Sequence, residues 1–402
     1  MNKVVIGQGL LFGGNANNGT NAGFVYSNVN NAPSNTNTNI GSHLCKNNGL
    51  IRPWLLPKNI KNTIMALVVD KDEKEIVLAK KFMKRVNNIY DKIISIDNLK
   101  KADKIARKGK IKSREIKIHD QKKGCNYIAL FNTLNNESFK NSKYETFKIY
   151  EPKEREIFKL PYYPDRILHH SIMNILEGIF YKTYTKNTYG CIKGRGVHMG
   201  LNQIKKDLKN NPKETKYCLK FDIKKYYPSV NQEILKKKLR KKIKDQKVLK
   251  LLDEIIDSAP KGIPIGNYLS QHFGNIYLND FDHWLKEKQK IKFYYRYVDD
   301  VVILSHSKKE LHELLKNIKK YLSAELDLKL KENYQIFPVK SRGIDFLGYV
   351  IYHSHVLLRK SIKKSFAKAS KKNNKQSLAS YYGWAKHCNS KNLLKKLNYD
   401  SI

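Results

Sequence analysis

The chain has 402 residues, 41% of them hydrophobic, which allows two or three domains with a substantial core. Its 78 Lys and Arg against 36 Asp and Glu leave a net charge of +42. So large an excess repels itself in a compact state and implies a polyanionic partner. Nucleic acid comes first, because each neutralised phosphate releases counterions. An anionic membrane surface is the alternative, but the basic residues are spread along the chain with no amphipathic anchor. No apolar run approaches the ~18 residues of a membrane span, and the N-terminus lacks the charged and apolar blocks of a signal peptide.

In chain order, residues 1–48 come first. They hold two lysines and no acid, and ten of the 25 residues from Asn15 to Asn39 are asparagine. Composition alone reads this as a flexible Asn/Gly-rich tail. IRPWLLP, Ile51 to Pro57, punctuates the chain with two prolines. From Lys74 to Ser95 apolar residues recur at three and four, which predicts a helix, and a second basic helix follows over 96–109. Tyr144 to Tyr162 alternates on both sides of EPKE and predicts a hairpin. Helices are expected at 164–182, 197–210 and 231–257. KYCLKFDI, Lys216 to Ile223, reads as a short buried strand. A long helix over 266–287 precedes the strand-forming run Phe293 to Ser305, a helix at 308–325 and strands around 343–352. The last 45 residues read as basic and helical. Strands and helices alternate, so the class is α+β or α/β. The cysteines Cys45, Cys125, Cys191, Cys218 and Cys388 are scattered singly, with no metal-ligand spacing. They read as reduced cytoplasmic thiols, mostly buried.

Two stretches carry carboxylates where they are costly. In FDIKKYYPSV, Phe221 to Val230, an apolar strand delivers Asp222 to a turn. In RYVDDVVIL, Arg296 to Leu304, Asp299 and Asp300 interrupt an apolar run. Aspartate is a poor strand former, and a like-charge pair at about 4 Å costs roughly 4 kcal/mol at an effective dielectric of ~20. A lone Asp-Asp is ordinarily a turn. Within apolar flanks, and after an apolar–Asp–aromatic strand end, it reads instead as a site that needs a cation. If the two strands are neighbours, Asp222 and Asp299 converge on oxygen-ligated Mg²⁺. Two such ions ~3.5–4 Å apart can activate a hydroxyl and stabilise a leaving pyrophosphate.

FDIKKYYPSV, GIPIGNYLSQ (Gly262 to Gln271) and YRYVDD, in that order, resemble the palm motifs of reverse transcriptases. REIFKLPYYPDRILHH, Arg155 to His170, resembles the fingers motif, and DFLGYVIY, Asp345 to Tyr352, the primer-contacting strand pair. The resemblance covers residues 85–400. It implies an α+β right-hand polymerase with fingers, palm and thumb, a mostly helical N-terminal extension and a short helical thumb. The implied boundaries are 1–48 for the Asn/Gly-rich segment, 49–84 for a linker and first helix, and 85–215 for fingers with the N-terminal extension. The palm spans 216–352, with part of the fingers interleaved, and a basic thumb spans 353–402.

The resemblance also assigns roles. Asp222, Asp299 and Asp300 are the metal-binding carboxylates, and the Ile223 carbonyl adds a ligand. Two Mg²⁺ ions are implied, with Mn²⁺ able to substitute. Asp300 supports the site electrostatically or from just outside the ligands. Tyr227 falls at the aromatic gate against a ribose 2′-hydroxyl; the plain reading is a core tyrosine. Arg155 and Arg166 lie where cations grip the incoming deoxynucleoside triphosphate, although Arg166 could instead pair with Asp165 or a palm carboxylate. Ile265 and Gly266 face the nucleotide. Gln271, Gly194, Gly196 and Gly348 fall at template and primer positions, and the stretch at Gly194 and Gly196 could equally be a simple turn. Lys331 is a candidate general acid for the pyrophosphate.

GIPIGNYLSQHFGNIYLNDFD, Gly262 to Asp282, narrows the resemblance. Related enzymes usually carry glutamine before the glycine, where this chain has Ile265. An aliphatic residue followed by GN and SQ resembles the reverse transcriptases of diversity-generating retroelements, as does the C-terminal SYYGWAKHCNSKNLLKKL. Such enzymes copy a template-repeat RNA into cDNA with errors at adenines, and a small basic pentameric accessory protein is the implied partner. Asparagine codons begin with two adenines. GGNANNGTNAGFVYSNVNNAPSNTNTNIG, Gly13 to Gly41, resembles the variable tail of their target proteins and so reads as template-repeat DNA fused in frame. Ala16 stands where that pattern has tryptophan. Translation from Met65 or Met83 would still yield the polymerase. A retron, group II intron or phage-defence reverse transcriptase is the alternative, and an RNA-binding scaffold without catalysis the third.

Overall fold

The computed structural model describes residues 84–150 and 154–397, together with a strand pair, β1 (Leu67–Val69) and β2 (Ile76–Leu78). The chain divides into two compact units, Met1–Lys84 and Arg85–Ile402. The Asn-rich segment, IRPWLLP, Met65 and Met83 lie outside the described residues.

In the first unit β1 and β2 pair antiparallel, Leu67 opposite Leu78 and Val69 opposite Ile76. This corrects the helix expected from Lys74. LVV and IVL flank a charged hexapeptide, and β-branched Ile76 and Val77 lose side-chain freedom in a helix but suit a strand. Among the described residues of this stretch, the helix is α1 (Tyr90–Ile94), in the second unit.

The second unit begins with a helical layer: α1, α2 (Ile96–Ala106), α3 (Arg114–Gln121) and α4 (Lys123–Asn135). Ser95 caps α2 by accepting from the Asn98 amide. The hairpin predicted around EPKE is present as β3 (Glu145–Ile149) and β4 (Arg155–Lys159), paired from Glu145–Lys159 to Ile149–Arg155. A π-turn at Tyr162–Arg166 leads into α5 (Ile167–Tyr181), which buries one face against α2. After α6 (Val197–Asn210) comes β5 (Tyr217–Asp222), then a single turn α7 (Tyr226–Ser229).

The single helix expected over 231–257 is two, α8 (Gln232–Arg240) and α9 (Gln246–Asp257). Asp245 explains the break. Its Oδ1 accepts from the Val248 amide at 3.3 Å, and its Oδ2 accepts from the Ile89 and Tyr90 amides at 2.8 and 3.1 Å. One carboxylate therefore caps two helix starts, and the chain leaves the helix to present it. α10 (Tyr268–His283) follows, buried on most of its faces.

The β-hairpin β6 (Phe293–Tyr297) and β7 (Asp300–Ser305) comes next, then α11 (Lys308–Leu326) and β8 (Gln335–Pro338). These strands form an antiparallel sheet in the order β6-β7-β5-β8. A short turn α12 (Val339–Arg342) leads to a second antiparallel sheet of β9 (Ile344–Phe346), β10 (Tyr349–Ile351) and β11 (Val356–Leu358). The chain closes with α13 (Lys360–Lys371), α14 (Lys375–Ala385) and α15 (Lys391–Lys396).

Two buried imidazoles, His169 and His272, and the half-buried His170 line α5 and α10. Burial pushes His169 down to about 3, and His170 and His272 each to about 4. An unfolded histidine takes its proton near 6.5. Stability is therefore full above about pH 6.5 and is lost as the pH falls toward the folded values, because the unfolded chain binds protons that the fold refuses. Asp299 and Asp300, raised by burial, act in the opposite sense. The urea midpoint should fall between pH 7 and pH 5, and His169→Gln should shrink that fall. An unchanged pH slope in the variant would contradict this.

Candidate active site

β5 is apolar on its buried faces because it sits between β7 and β8. Its register places Asp222 opposite Asp300 and Phe221 opposite Val301. On the other side of β7, Asp300 lies opposite Tyr297. Val298 and Asp299 thus form the tip of the β6–β7 hairpin, beside the end of β5. The register thus sets Asp222 opposite Asp300, with Asp299 next to Asp300 at the hairpin tip.

The hairpin tip is tight. Val298 has φ +58°, an outlier for a β-branched residue. A Cβ on Gly190 would lie 2.8 Å from the Val298 amide nitrogen, so glycine is needed there for close approach.

Beyond Asp222 the chain is clamped to residues 329–331. Lys224 N donates to Lys329 O at 2.8 Å and Lys331 N to Asp222 O at 2.9 Å, with Ile223 buried between them. The Lys331 ammonium pairs with Asp222 Oδ2. Lys220 lies 3.8 Å from Asp300 and also donates to the Asp345 carbonyl. Asp345 in turn accepts from Arg359 Nε at 2.5 Å, and the Arg359 amide donates to Gly348 O at 2.9 Å.

Burial, and then the neighbouring Asp222 carboxylate, hold Asp299 well above the usual carboxylate range. Burial pushes Asp300 up to about 6, opposed by Lys220 and reinforced by Asp222. Lysines therefore only partly offset the repulsion. Asp222 Oδ1 and Asp300 Oδ1 are buried without a hydrogen-bond partner. Such orphaned carboxylate oxygens suit a hard cation with oxygen ligands. Among the described residues no three acidic, His or Cys side chains are drawn together as a ready ligand set. The donors fit a divalent ion, while Lys331 supplies positive charge beside Asp222.

The nucleotide-facing candidates lie around this point. Tyr227, half-buried in α7, meets the Tyr226 ring edge-on at 5.5 Å. Its carbonyl accepts from Ile263 N at 3.0 Å. Gly262 has φ +63°, and a Cβ there would lie 2.4 Å from the Tyr227 carbonyl oxygen. Gly262→Ala should cost at least about 2 kcal/mol, from left-handed strain and overlap together. A urea unfolding curve superimposable on that of the wild type would contradict it.

Ile265 O accepts from Phe158 N at 2.7 Å, and a Cβ on Gly266 would lie 2.5 Å from Phe158 O. The GIPIG loop and β4 are thus in contact. Arg155, on β4, is exposed, and Arg166, ending the π-turn, is half-buried. Neither has an ion-pair partner among the described residues. The Asp165–Arg166 pair envisaged from sequence is not formed: Asp165 Oδ1 accepts from Ser142 N at 3.0 Å, and its Oδ2 is buried without a hydrogen-bond partner. Gln271 is exposed in the first turn of α10. Gly194, at φ +77°, is a turn with open space around it, and Gly196 directly precedes α6. Gly348, at φ +81°, lets Trp384 pack where a Cβ would lie only 2.4 Å from the indole.

Sequence reading missed Lys220, Asp345 and Arg359, whose roles depend on cross-strand neighbours. It also missed Asn275, Asp282 and Arg296, polar residues inside apolar elements. That mismatch is itself a legible signal.

The helical layer, the carboxylate-bearing antiparallel sheet and the C-terminal basic helices make up a right-hand polymerase fold. Residues 152–351 match the family model described as reverse transcriptase (RNA-dependent DNA polymerase), so the chain carries a reverse transcriptase domain. Protein YkfC of Escherichia coli K12 is 24% identical, over 53% of this chain and 66% of its own. The group II intron-encoded protein LtrA of Lactococcus lactis subsp. cremoris is 24% identical, over 51% of this chain and 36% of its own. The chain thus spans less than two thirds of either relative. Solved structures of similar shape include apo telomerase from Candida tropicalis at 13% identity, covering 53% of this chain and 48% of that one, TM-score 0.42. Another is a partial Cas6-RT-Cas1–Cas2 complex at 19% identity, covering 62% of this chain and 45% of that one, TM-score 0.37.

Proposed function

We propose that this chain copies a template-repeat RNA into cDNA with adenine-directed errors, as part of a diversity-generating retroelement. The polymerase part of this reading rests on the register that sets Asp222 beside Asp300 at the hairpin tip. The mutagenic part rests on Ile265. Its backbone is held by Phe158, and its half-buried side chain offers no amide to the template–nucleotide pair. Selection there depends on shape, which discriminates by only a few kcal/mol.

Asp222, Asp299 and Asp300, with the Ile223 carbonyl, would hold Mg²⁺ or Mn²⁺. When bound, such ions lower the pKa of the primer 3′-hydroxyl and stabilise charge on the leaving pyrophosphate. Tyr227 packs under C2′ and excludes an extra hydroxyl. Arg155 and Arg166, free of carboxylate partners among the described residues, bind the triphosphate oxygens of the incoming deoxynucleotide. In this reading Lys331, once released from Asp222, gives its Nζ proton to the pyrophosphate. Gln271, Gly194, Gly196 and Gly348 line the template and primer path.

We assign fingers with the N-terminal extension to 85–215, palm to 216–352 and thumb to 353–402. Cys125, Cys191, Cys218 and Cys388 are free thiols, which agrees with a cytoplasmic setting. No helix among the described residues is long and apolar enough to cross a membrane. A small basic pentameric protein is the expected partner, with RNA between the two cationic surfaces.

The test is to supply the chain, its partner and the neighbouring repeat RNA with four deoxynucleotides and Mg²⁺, then sequence the cDNA. Errors concentrated at template adenines are expected, and Ile265→Gln should reduce them. Faithful cDNA would favour a second reading, a group II intron-like enzyme, which the similarity to LtrA supports.

A further inference from the structure

Beneath the hairpin tip lies a sealed polar ring. Arg296 and Asp282 pair with both side chains 0% exposed. Arg296 Nε donates to Asp282 Oδ1 at 2.7 Å and Nη2 to Oδ2 at 2.5 Å. Its Nη1 points the other way, donating to the Val298 carbonyl at 2.8 Å and to Asn275 Oδ1 at 3.1 Å. Asn275 Nδ2 donates to Gly190 O at 2.8 Å, and Thr188 Oγ1 to Asp282 Oδ2 at 2.9 Å. The Tyr294 hydroxyl donates to Asp282 Oδ1 at 2.5 Å. The Arg296 backbone bonds to Asn187 O and from Tyr189 N at 3.0 and 2.9 Å.

This ring ties three separate stretches, α10, residues 187–190 and β6, to one carbonyl. That carbonyl belongs to Val298, the left-handed residue that carries the chain into Asp299. A strained β-branched residue persists only where its surroundings over-determine it. A buried ion pair is weak evidence for stability as such, since apolar residues often serve as well. Here the pair aims a third hydrogen bond at the tip.

We propose that the Arg296–Asp282–Asn275 ring is a positioning device that fixes the Val298 carbonyl and thereby the stance of Asp299 against Asp222. The proposal rests on the polymerase reading of those carboxylates. Arg296→Lys keeps the charge but loses the reach to Val298. Asp282→Asn keeps the shape but loses the charge that orients the guanidinium. In each, kcat per folded molecule should fall about 10- to 100-fold. The KM for deoxynucleotide and the affinity for RNA should stay within about twofold, and half-saturation in Mg²⁺ should move to higher concentration. Asp253→Asn, which breaks the remote 2.5 Å pair with Arg240, is the control and should leave kcat unchanged.

The assays use the full chain, with the folded fraction measured by circular dichroism at the assay temperature. Lower melting temperatures with unchanged kcat per folded molecule would overturn the proposal. Asn275→Ala leaves the ion pair intact and decides the matter if the charge variants do not fold; it too should lower kcat. An inactive wild type would refute the polymerase reading and this proposal with it, whereas an active wild type with fully active variants would refute this proposal alone.

Discussion

Asp222→Asn should bind RNA as the wild type does and extend a primer about 10³-fold more slowly, since several kcal/mol of charge stabilisation depend on that carboxylate. Asp299→Asn should behave alike. The reason lies in the sheet register, which places Asp222 opposite Asp300 with Asp299 one residue away at the tip. Stability should change little or rise. The Asp222–Lys331 pair is about one third exposed and contributes at most about 1 kcal/mol. Removing either carboxylate also relieves the repulsion that adds to burial in raising Asp299. Primer extension together with thermal melting checks both halves. Primer extension at the wild-type rate in either variant would contradict the assignment of these carboxylates as the metal-binding residues.

Tyr227→Ala should raise ribonucleotide insertion relative to deoxynucleotide insertion by about 100-fold, the scale of discrimination by shape against one added hydroxyl. Tyr227→Phe keeps the ring and should keep the discrimination. The ring is fixed by its edge-on contact with Tyr226, and the backbone by Ile263 and the close approach of Gly262. As a core tyrosine only, it would cost stability on truncation, about 3 kcal/mol, with no change in sugar preference. Competition assays with paired nucleotides separate the two outcomes.

The carboxylates were legible because their signal is local: acids where an apolar strand wants none. The β3–β4 hairpin was legible for the same reason, an alternating pattern on both sides of a turn. Elements fixed by distant partners were not. The break between α8 and α9 depends on Asp245 reaching amides 156 and 155 residues away. α3 was overlooked because REIKIHDQ offers few apolar residues; it is held through Glu115, which bonds Lys159 at 2.5 Å and accepts from Tyr162 N at 3.1 Å. The helix expected from Lys74 failed because a spacing of three and four also occurs by chance in a hairpin with β-branched strands. The Asp282–Arg296 pair shows the same limit within the site, since neither residue's partner can be read from its own surroundings in sequence.

The central claim is RNA-templated DNA synthesis at these three aspartates. The most direct measurement gives the full chain a defined RNA template and DNA primer, with Mg²⁺, and adds the four deoxynucleotides singly and together. Extension that follows the template base by base, ceases on chelation and is lost in Asp299→Asn is the predicted result. RNA binding with no template-directed extension, with Mg²⁺ or Mn²⁺ and with the accessory partner present, would contradict it.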